Sequence, residues 1–257
     1  MFNKIRQKFH PLFHLRKNGI YRQIQRVIDP DISIKIHGFQ VYLKLLRDLS
    51  VILSQQEQEK EVVDLASSLM SSAQFDVFID VGANIGLYSW LAKKHNVSDI
   101  FMFEPDRTNC RLLMRTLKAN HLEHVFLVPF AASAVAGVEQ FYPDSASGAT
   151  GSLSLNPHSL HSAYGIATSV ALPTLPLNTF ADFCCNKKVL LKIDVEGAEA
   201  SMFAGAMRFL EQAMPTMIVE CFDASRLDVL RPLGYSRHSI DDKGNYLLTP
   251  PGFAMPK

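Results

Sequence analysis

The chain of 257 residues suits one sizeable α/β domain with an extension, and is too short for two full domains. Its 47% apolar and 20% charged content excludes wholesale disorder and predicts a packed core. The net charge of +1 is unevenly spread. Residues 1–28 carry Lys4, Arg6, Lys8, Arg16, Lys17, Arg22 and Arg26 with no acid, an arm of +7, while 19 basic and 25 acidic residues leave the body at −6. A body of that sign argues against a nucleic-acid partner, and the arm is suited to an anionic one.

No apolar run approaches the ~20 residues that span a bilayer. The start of the chain lacks the apolar core and small-residue cleavage site of a signal peptide. Cys110, Cys184, Cys185 and Cys221 show no metal-ligand spacing, and an adjacent cysteine pair is poor material for a disulfide framework. A reduced, cytoplasmic protein is expected.

Two basic amphipathic stretches come first. Phe2, Ile5 and Phe9 share one helical face, and Ile20, Ile24, Val27 and Ile28 share another, with Pro11 between them. Such an arm fits either an anionic membrane surface or the catalytic body itself. Residues 32–45 alternate apolar and polar on both sides of His37-Gly38 and predict a β-hairpin. Ser54 and Glu57 have capping-box spacing, and Val62, Val63, Ala66, Leu69 and Met70 predict a helix to about residue 72. Residues 1–72 thus form an N-terminal extension, and 73–257 the main domain.

From Phe75 onward five short apolar runs follow at 77–81, 100–104, 125–130, 189–195 and 217–220. Runs apolar on both faces predict strands buried in a mostly parallel sheet covered by helices, a doubly wound, Rossmann-like α/β arrangement. Helical patterns follow the first, second, fourth and fifth runs, the second with Asp106 as its N-cap. In the third gap, residues 132–142 predict an extra hairpin turning near Gly137, and residues 143–170 an open loop. A final antiparallel hairpin is expected to turn at Lys243-Gly244-Asn245.

Ligands of open α/β sheets sit beyond the carboxyl ends of the strands. Here those ends carry Asp80, Glu104, Asp194 with Glu196, and Glu220. Asp80 introduces DVGANIG, where Gly82 lets a ligand approach backbone and Gly86 opens a helix whose N-terminus offers N–H groups to an anion. Glu104 follows Gly82 by 22 residues, near the spacing at which an acid accepts a ribose hydroxyl. The loop lacks the third glycine of a pyrophosphate motif and has no Lys or Arg. Its carboxylates would repel phosphates but suit a sulfonium cation with an amino group, the charge pattern of S-adenosylmethionine.

In LKIDVEGAEA, Lys192, Asp194 and Glu196 share one face of a strand end, and Glu199 falls in the first turn of the next helix. The alternatives are a buried ion-pair network that only fixes the turn, and a catalytic cluster; ionisable groups concentrated at a strand end favour the second. Close acids can raise one another's pKa, which suits a base near neutral pH, so Glu196 and Asp194 are the candidate bases, with Lys192 orienting or tuning them. The 143–170 loop, with Ser152, Ser154, His158 and His161, is a candidate cover for the acceptor, and its histidines lack the context of a metal site. The rival readings are a nucleotide-dependent oxidoreductase or epimerase, which lacks a Tyr-x-x-x-Lys pair here, and a non-catalytic nucleoside-binding module.

FIDVGANIGLYS, FEPD, AASAVAG, GSLSL, LPLNTFADF, LKIDVEGAE and IVE, in that order from about Asp76 to Tyr235, resemble the FkbM-type methyltransferase family. The resemblance implies a class I S-adenosylmethionine-dependent enzyme with a seven-stranded sheet containing one antiparallel strand. It implies O-methylation of a hydroxyl on a sugar, glycan precursor or other secondary metabolite. It further implies that Asp80, Gly82, Asn84 and Gly86 hold the methionine end, Glu104 the ribose, and Phe130-Ala131 the adenine side. Asp194, Glu196 and Glu199 would line the transfer site, with Ser152 and Glu220 also expected to meet the acceptor, and no metal. Asn178 and Ala134 stand where the family commonly has Asp, which puts loop anchoring in question.

Overall fold

The computed structural model describes residues 19–54, 59–143, 151, 153 and 169–254. The first amphipathic stretch, Glu57, and most of the 143–170 loop, including Ser152, Ser154, His158 and His161, lie outside these residues.

Helix α1 (Gly19–Val27) leads into the expected hairpin, β1 (Asp31–Ile36) paired antiparallel with β2 (Phe39–Lys44). His37 and Gly38 both have positive φ, 50° and 96°, the requirement of a two-residue turn that matches strand twist. Helices α2 (Leu49–Ser54) and α3 (Lys60–Ala73) follow. The helix start differs from expectation: Ser54 ends α2 instead of capping α3, and Glu59 occupies the α3 N-cap without a side-chain cap bond.

The main sheet has seven strands: β3 (Val77–Val81), β4 (Asp99–Phe103), β5 (Val125–Val128), β9 (Val189–Ile193), β10 (Thr216–Glu220), β11 (Ser236–Ser239) and β12 (Asn245–Thr249). Their spatial order is β11-β12-β10-β9-β3-β4-β5; the β11–β12 and β12–β10 pairs are antiparallel and the rest parallel, so β12 runs against the other strands. The crossovers through α4 (Leu87–Lys94) and α5 (Arg107–Ala119) build outward from β3, and those after β9 build the other way. The β3–β9 junction is therefore the topological switch point, beyond whose carboxyl ends a crevice must open.

Alternation along the strands sorts the core into two layers. Phe78, Ile100, Leu190 and Ile218 face α3, α4, α5 and the hairpin, whose Ile36, Val41 and Leu43 are buried in the same cluster. Ile79, Val81, Leu191, Ile193 and Val219 face the opposite layer, which holds Met202 and Phe203 of α6 (Glu199–Ala204) and Phe209 and Leu210 of α7 (Met207–Ala213). The hairpin is pinned to α5 by polar contacts: Thr116 Oγ1 accepts from the Tyr42 N–H at 3.0 Å, and Asp31 pairs with Arg111 and Arg115.

The third gap corrects the expected hairpin. Strands β6 (Ala131–Ala132) and β7 (Gly137–Phe141) do not pair with each other; both pair with β8 (Val170–Leu175), in the order β6-β8-β7. Gly137 begins β7, opposite Thr174, and the turn lies just before it. The terminal hairpin is as expected, with Gly244 at φ 96° between β11 and β12.

Candidate active site

At the switch point a cleft opens between the chain after β3, the end of β4 and the chain after β9. Of the predicted site residues, Gly82, Asn84, Glu104, Ala131, Asp194 and Glu196 line it together. Asp80, Gly86, Lys192, Glu199 and Glu220 are described but are not among its lining residues. Pro105, Asp106, Asn109, Phe141, Leu153 and Ala198 line it as well, and were not singled out as site residues from sequence.

Two loops meet at the floor. The Asp194 N–H donates to the Val81 carbonyl at 2.9 Å, drawing the chain after β9 against the chain after β3. The approach is so close that a Cβ on Gly82 would overlap the carbonyl oxygen of Asp194, and Gly82 has φ 82°. Only glycine meets both demands.

Glu104, at the end of β4, is 5% exposed. Its Oε2 accepts from the Asn84 N–H at 2.6 Å and its Oε1 from the Asp106 N–H at 2.8 Å. Burial is the largest influence on this carboxyl and outweighs those two donors, raising its pKa to about 7. Asp106 caps α5 as expected, accepting from the Thr108 and Asn109 N–H groups. Asn109 in turn donates through Nδ2 to Asn84 Oδ1 at 3.2 Å.

Asp80 is buried and is not among the residues that line the cleft. Ser89 Oγ donates to its Oδ2 at 2.6 Å, and burial raises the carboxyl to about 6 against the pull of Ser89 and Lys192. Expected at the methionine end, Asp80 thus lies beside the cleft and not in its lining. Gly86 stands at the N-cap of α4 with the Trp90 indole against it.

Asp80 and Lys192 face each other across the β3–β9 pair. Lys192 is 3% exposed, 3.9 Å from Asp194 Oδ2 and 5.3 Å above the Tyr88 ring. Burial works to lower its pKa, but Asp194, Glu220, Glu59 and Asp80 together raise it, so the ammonium stays charged. Half-buried Glu220 belongs to this charged group. Tyr88 joins it by donating from its hydroxyl to Glu59 Oε2 at 2.6 Å. Asp194 is thus the link between the buried charges and the open cleft.

Beyond Asp194 the chain turns sharply, with Glu196 at φ 48° and Gly197 at φ 100°. A left-handed conformation at a non-glycine residue stores local strain, and the surroundings must impose it. Glu199 does so: its Oε1 accepts from the Gly197 N–H at 2.8 Å, and its Oε2 from Arg226 Nη1 at 2.6 Å. Arg226 Nη1 also donates to the Gly197 carbonyl at 2.8 Å. Glu199 was expected at the acceptor, but both its oxygens are engaged in fixing the turn that presents Glu196. Asn178 does anchor its loop, accepting at Oδ1 from the Phe209 N–H at 3.1 Å.

The sequence profile of the methyltransferase FkbM domain matches residues 80–234. Among solved structures the chain is similar to methyltransferase FkbM from Methylobacillus flagellatus KT, at 18% identity over 71% of this chain with a TM-score of 0.47. The chain spans 47% of that protein's length. It is also similar to a methyltransferase from Geobacter sulfurreducens, at 15% identity over 78% of this chain and 89% of that one, with a TM-score of 0.44. No curated protein matches the chain. The profile covers more than half of the sequence, and the chain belongs to the FkbM methyltransferase family.

Proposed function

We propose that this chain is an S-adenosylmethionine-dependent O-methyltransferase whose acceptor is a hydroxyl on a sugar, glycan precursor or related secondary metabolite. The observation that carries the cofactor reading is Glu104, held by two backbone N–H groups in a cleft whose other wall presents Asp194 and Glu196. Among the described residues lining that cleft there is no Lys or Arg. This donor set suits a ribose diol and a cation, and would serve a pyrophosphate poorly.

In this reading Glu104 accepts from the ribose hydroxyls, and Phe103, Phe130, Ala131 and Phe141 offer apolar surface to the base. Gly82 and Asn84 meet the methionine portion. The bound cofactor supplies an electrophilic methyl group on a sulfonium cation. Asp194 and Glu196 favour a positive charge between them by simple attraction. Glu196, fixed in its strained turn, takes the proton from the acceptor hydroxyl at its carboxylate. The Glu199–Arg226 pair fixes the Gly197 backbone next to Glu196, and Lys192 balances the buried charge behind Asp194. Most of the described chain around the cleft serves alignment, which can supply several kcal/mol in such a displacement.

Calorimetry with S-adenosylmethionine and NAD tests the cofactor. Binding of the first and not the second is expected, with Glu104→Ala weakening it by about 1–3 kcal/mol. Binding of NAD alone would overturn the reading in favour of an oxidoreductase. Transfer of a labelled methyl group to glycans extracted from a deletion strain tests the acceptor.

We further propose that residues 1–28 rest on an anionic membrane surface. Among the described residues no helix is long and apolar enough to cross a membrane. What supports surface contact is α1, whose Ile20, Ile24, Val27 and, just beyond, Ile28 are 48% to 81% exposed in an arm of seven basic residues.

A further inference from the structure

Arg47 lies in the N-terminal extension, far in sequence from any cofactor motif, yet it is almost completely buried. Its backbone is held first. The Leu46 and Arg47 N–H groups donate to the Asp29 carboxylate at 2.7 and 3.2 Å, and Lys44 Nζ donates to the Asp29 carbonyl at 2.6 Å. Its guanidinium is held next. Nε and Nη2 donate to the two oxygens of buried Asp48 at 2.8 and 3.1 Å, a forked pairing that leaves the plane little freedom. From that fixed fork Nη2 reaches Asn109 Oδ1 at 2.7 Å, 62 residues away.

Guanidinium has donors and no acceptor, so it can only meet the oxygen of the Asn109 amide. The amide orientation follows. Its Nδ2 must point the other way, toward Asn84 Oδ1 at 3.2 Å, and it also favours the ionised form of Glu104 by hydrogen bonding. Asn84 is held at φ 53°, where its own N–H donates to Glu104 Oε2. A continuous path thus runs from Asp48 through Arg47, Asn109 and Asn84 to the carboxylate at the cleft wall.

We propose that Arg47 is a positioning residue for cofactor binding: by fixing the Asn109 amide it holds the Asn84 loop and the Glu104 carboxylate in the arrangement that accepts a ribose diol. The extension is then a part of the nucleoside site. This inference rests on Glu104 as the ribose acceptor, and the experiment separates the two.

The test compares S-adenosylhomocysteine with its counterpart lacking both ribose hydroxyls, by calorimetry on the full chain. Wild-type protein should prefer the hydroxylated ligand by about tenfold or more, since hydrogen bonds to a charged group are lost in the other. Arg47→Lys keeps the charge but not the fork, and should reduce that preference to about threefold or less while binding the dihydroxy-lacking ligand as wild type does. Asn109→Asp, which replaces the Nδ2 donor by an oxygen, should do the same and serves if the Arg47 variant fails to fold. A merely structural role would weaken both ligands alike and leave their ratio unchanged. An unchanged ratio in the variants, with preference intact in wild type, overturns the role of Arg47. No preference in wild type overturns the ribose reading of Glu104 and this inference with it.

Discussion

The backbone N–H of Asn84 donates to Oε2 of Glu104 across 2.6 Å, tying the loop after β3 to the end of β4. The same carboxyl is raised to about 7 by burial. A raised carboxyl binds its proton more tightly in the folded state than in the unfolded chain. Its contribution to stability is complete below the ordinary value of 4.5 and is lost as pH rises through about 7. Ribose hydroxyls, in contrast, need the ionised form. S-adenosylmethionine affinity should therefore rise between pH 6 and 8 while the stability of the ligand-free protein declines. Asp80, at about 6, titrates in part of this window. Glu104→Gln isolates the effect, because affinity in that variant should be low and nearly flat. Calorimetry across the pH series checks this, and a wild-type affinity independent of pH would remove Glu104 from the ribose.

Gly82→Ala should destabilise the protein by about 2 kcal/mol or more, combining left-handed backbone cost with displacement of the Asp194 carbonyl. Gly38→Ala is the comparison. Gly38 shares the positive φ, but a Cβ there meets nothing within 4 Å. Thermal melts should show the larger loss at Gly82, and the Gly82 variant should also lose cofactor affinity. Equal losses at both sites would show that the loop has room to adjust.

Glu196→Gln should keep the fold and cofactor affinity and lower methyl transfer by about 10²-fold or more, the size of a lost general base. Single-turnover assays with a working acceptor read this directly. Full activity in Glu196→Gln with a severe loss in Asp194→Asn would move the base to Asp194, the other acid in the cleft lining.

The parts of this site legible in the sequence are those governed by local rules. Strand periodicity placed Asp80, Glu104 and Asp194 at carboxyl ends, and Asp106 announced the start of α5 by being an N-cap residue before an amphipathic run. What stayed hidden depends on contacts between distant segments. Nothing near Arg47 signals Asn109, and nothing near Glu199 signals Arg226, 27 residues on, which engages it. The β6–β7 expectation failed for the same reason: both strands find their partner in β8, beyond a long connection, so local turn chemistry pointed to the wrong pairing.

Arg226→Met leaves the Glu199 carboxylate buried with only the Gly197 N–H. Losing a hydrogen-bonded charge partner of this kind costs about 2–3 kcal/mol, so the melting temperature should fall by several degrees. Glu199→Gln should cost less, since a neutral amide needs no ionic partner. Both variants loosen the Glu196 turn and should lower turnover more than cofactor affinity. A variant with normal turnover would show that the turn holds its shape without the pair.

The arm gives the last prediction. Tyr21 donates from its hydroxyl to the Leu46 carbonyl at 2.8 Å, which fastens one side of α1 to the body. Ile20, Ile24, Val27 and Ile28 recur at helical spacing and remain exposed. Packing of this stripe on the catalytic body is the alternative read from sequence. Seven basic residues in the arm can each add about 1 kcal/mol of attraction to an anionic bilayer, and the stripe supplies the apolar contact that charge alone lacks. The full chain should co-sediment with anionic vesicles, weakly with neutral ones, and less as salt is raised. Replacing Ile20, Ile24 and Ile28 by Ser should abolish sedimentation while leaving the melting temperature within a degree or two of wild type, because exposed side chains contribute little to folding. Sedimentation that survives the triple substitution would show that the Ile20, Ile24 and Ile28 stripe is not the apolar contact, and would overturn its role. A fall in melting temperature together with unchanged, negligible vesicle binding would mean that the stripe serves the fold, and the membrane reading would be abandoned.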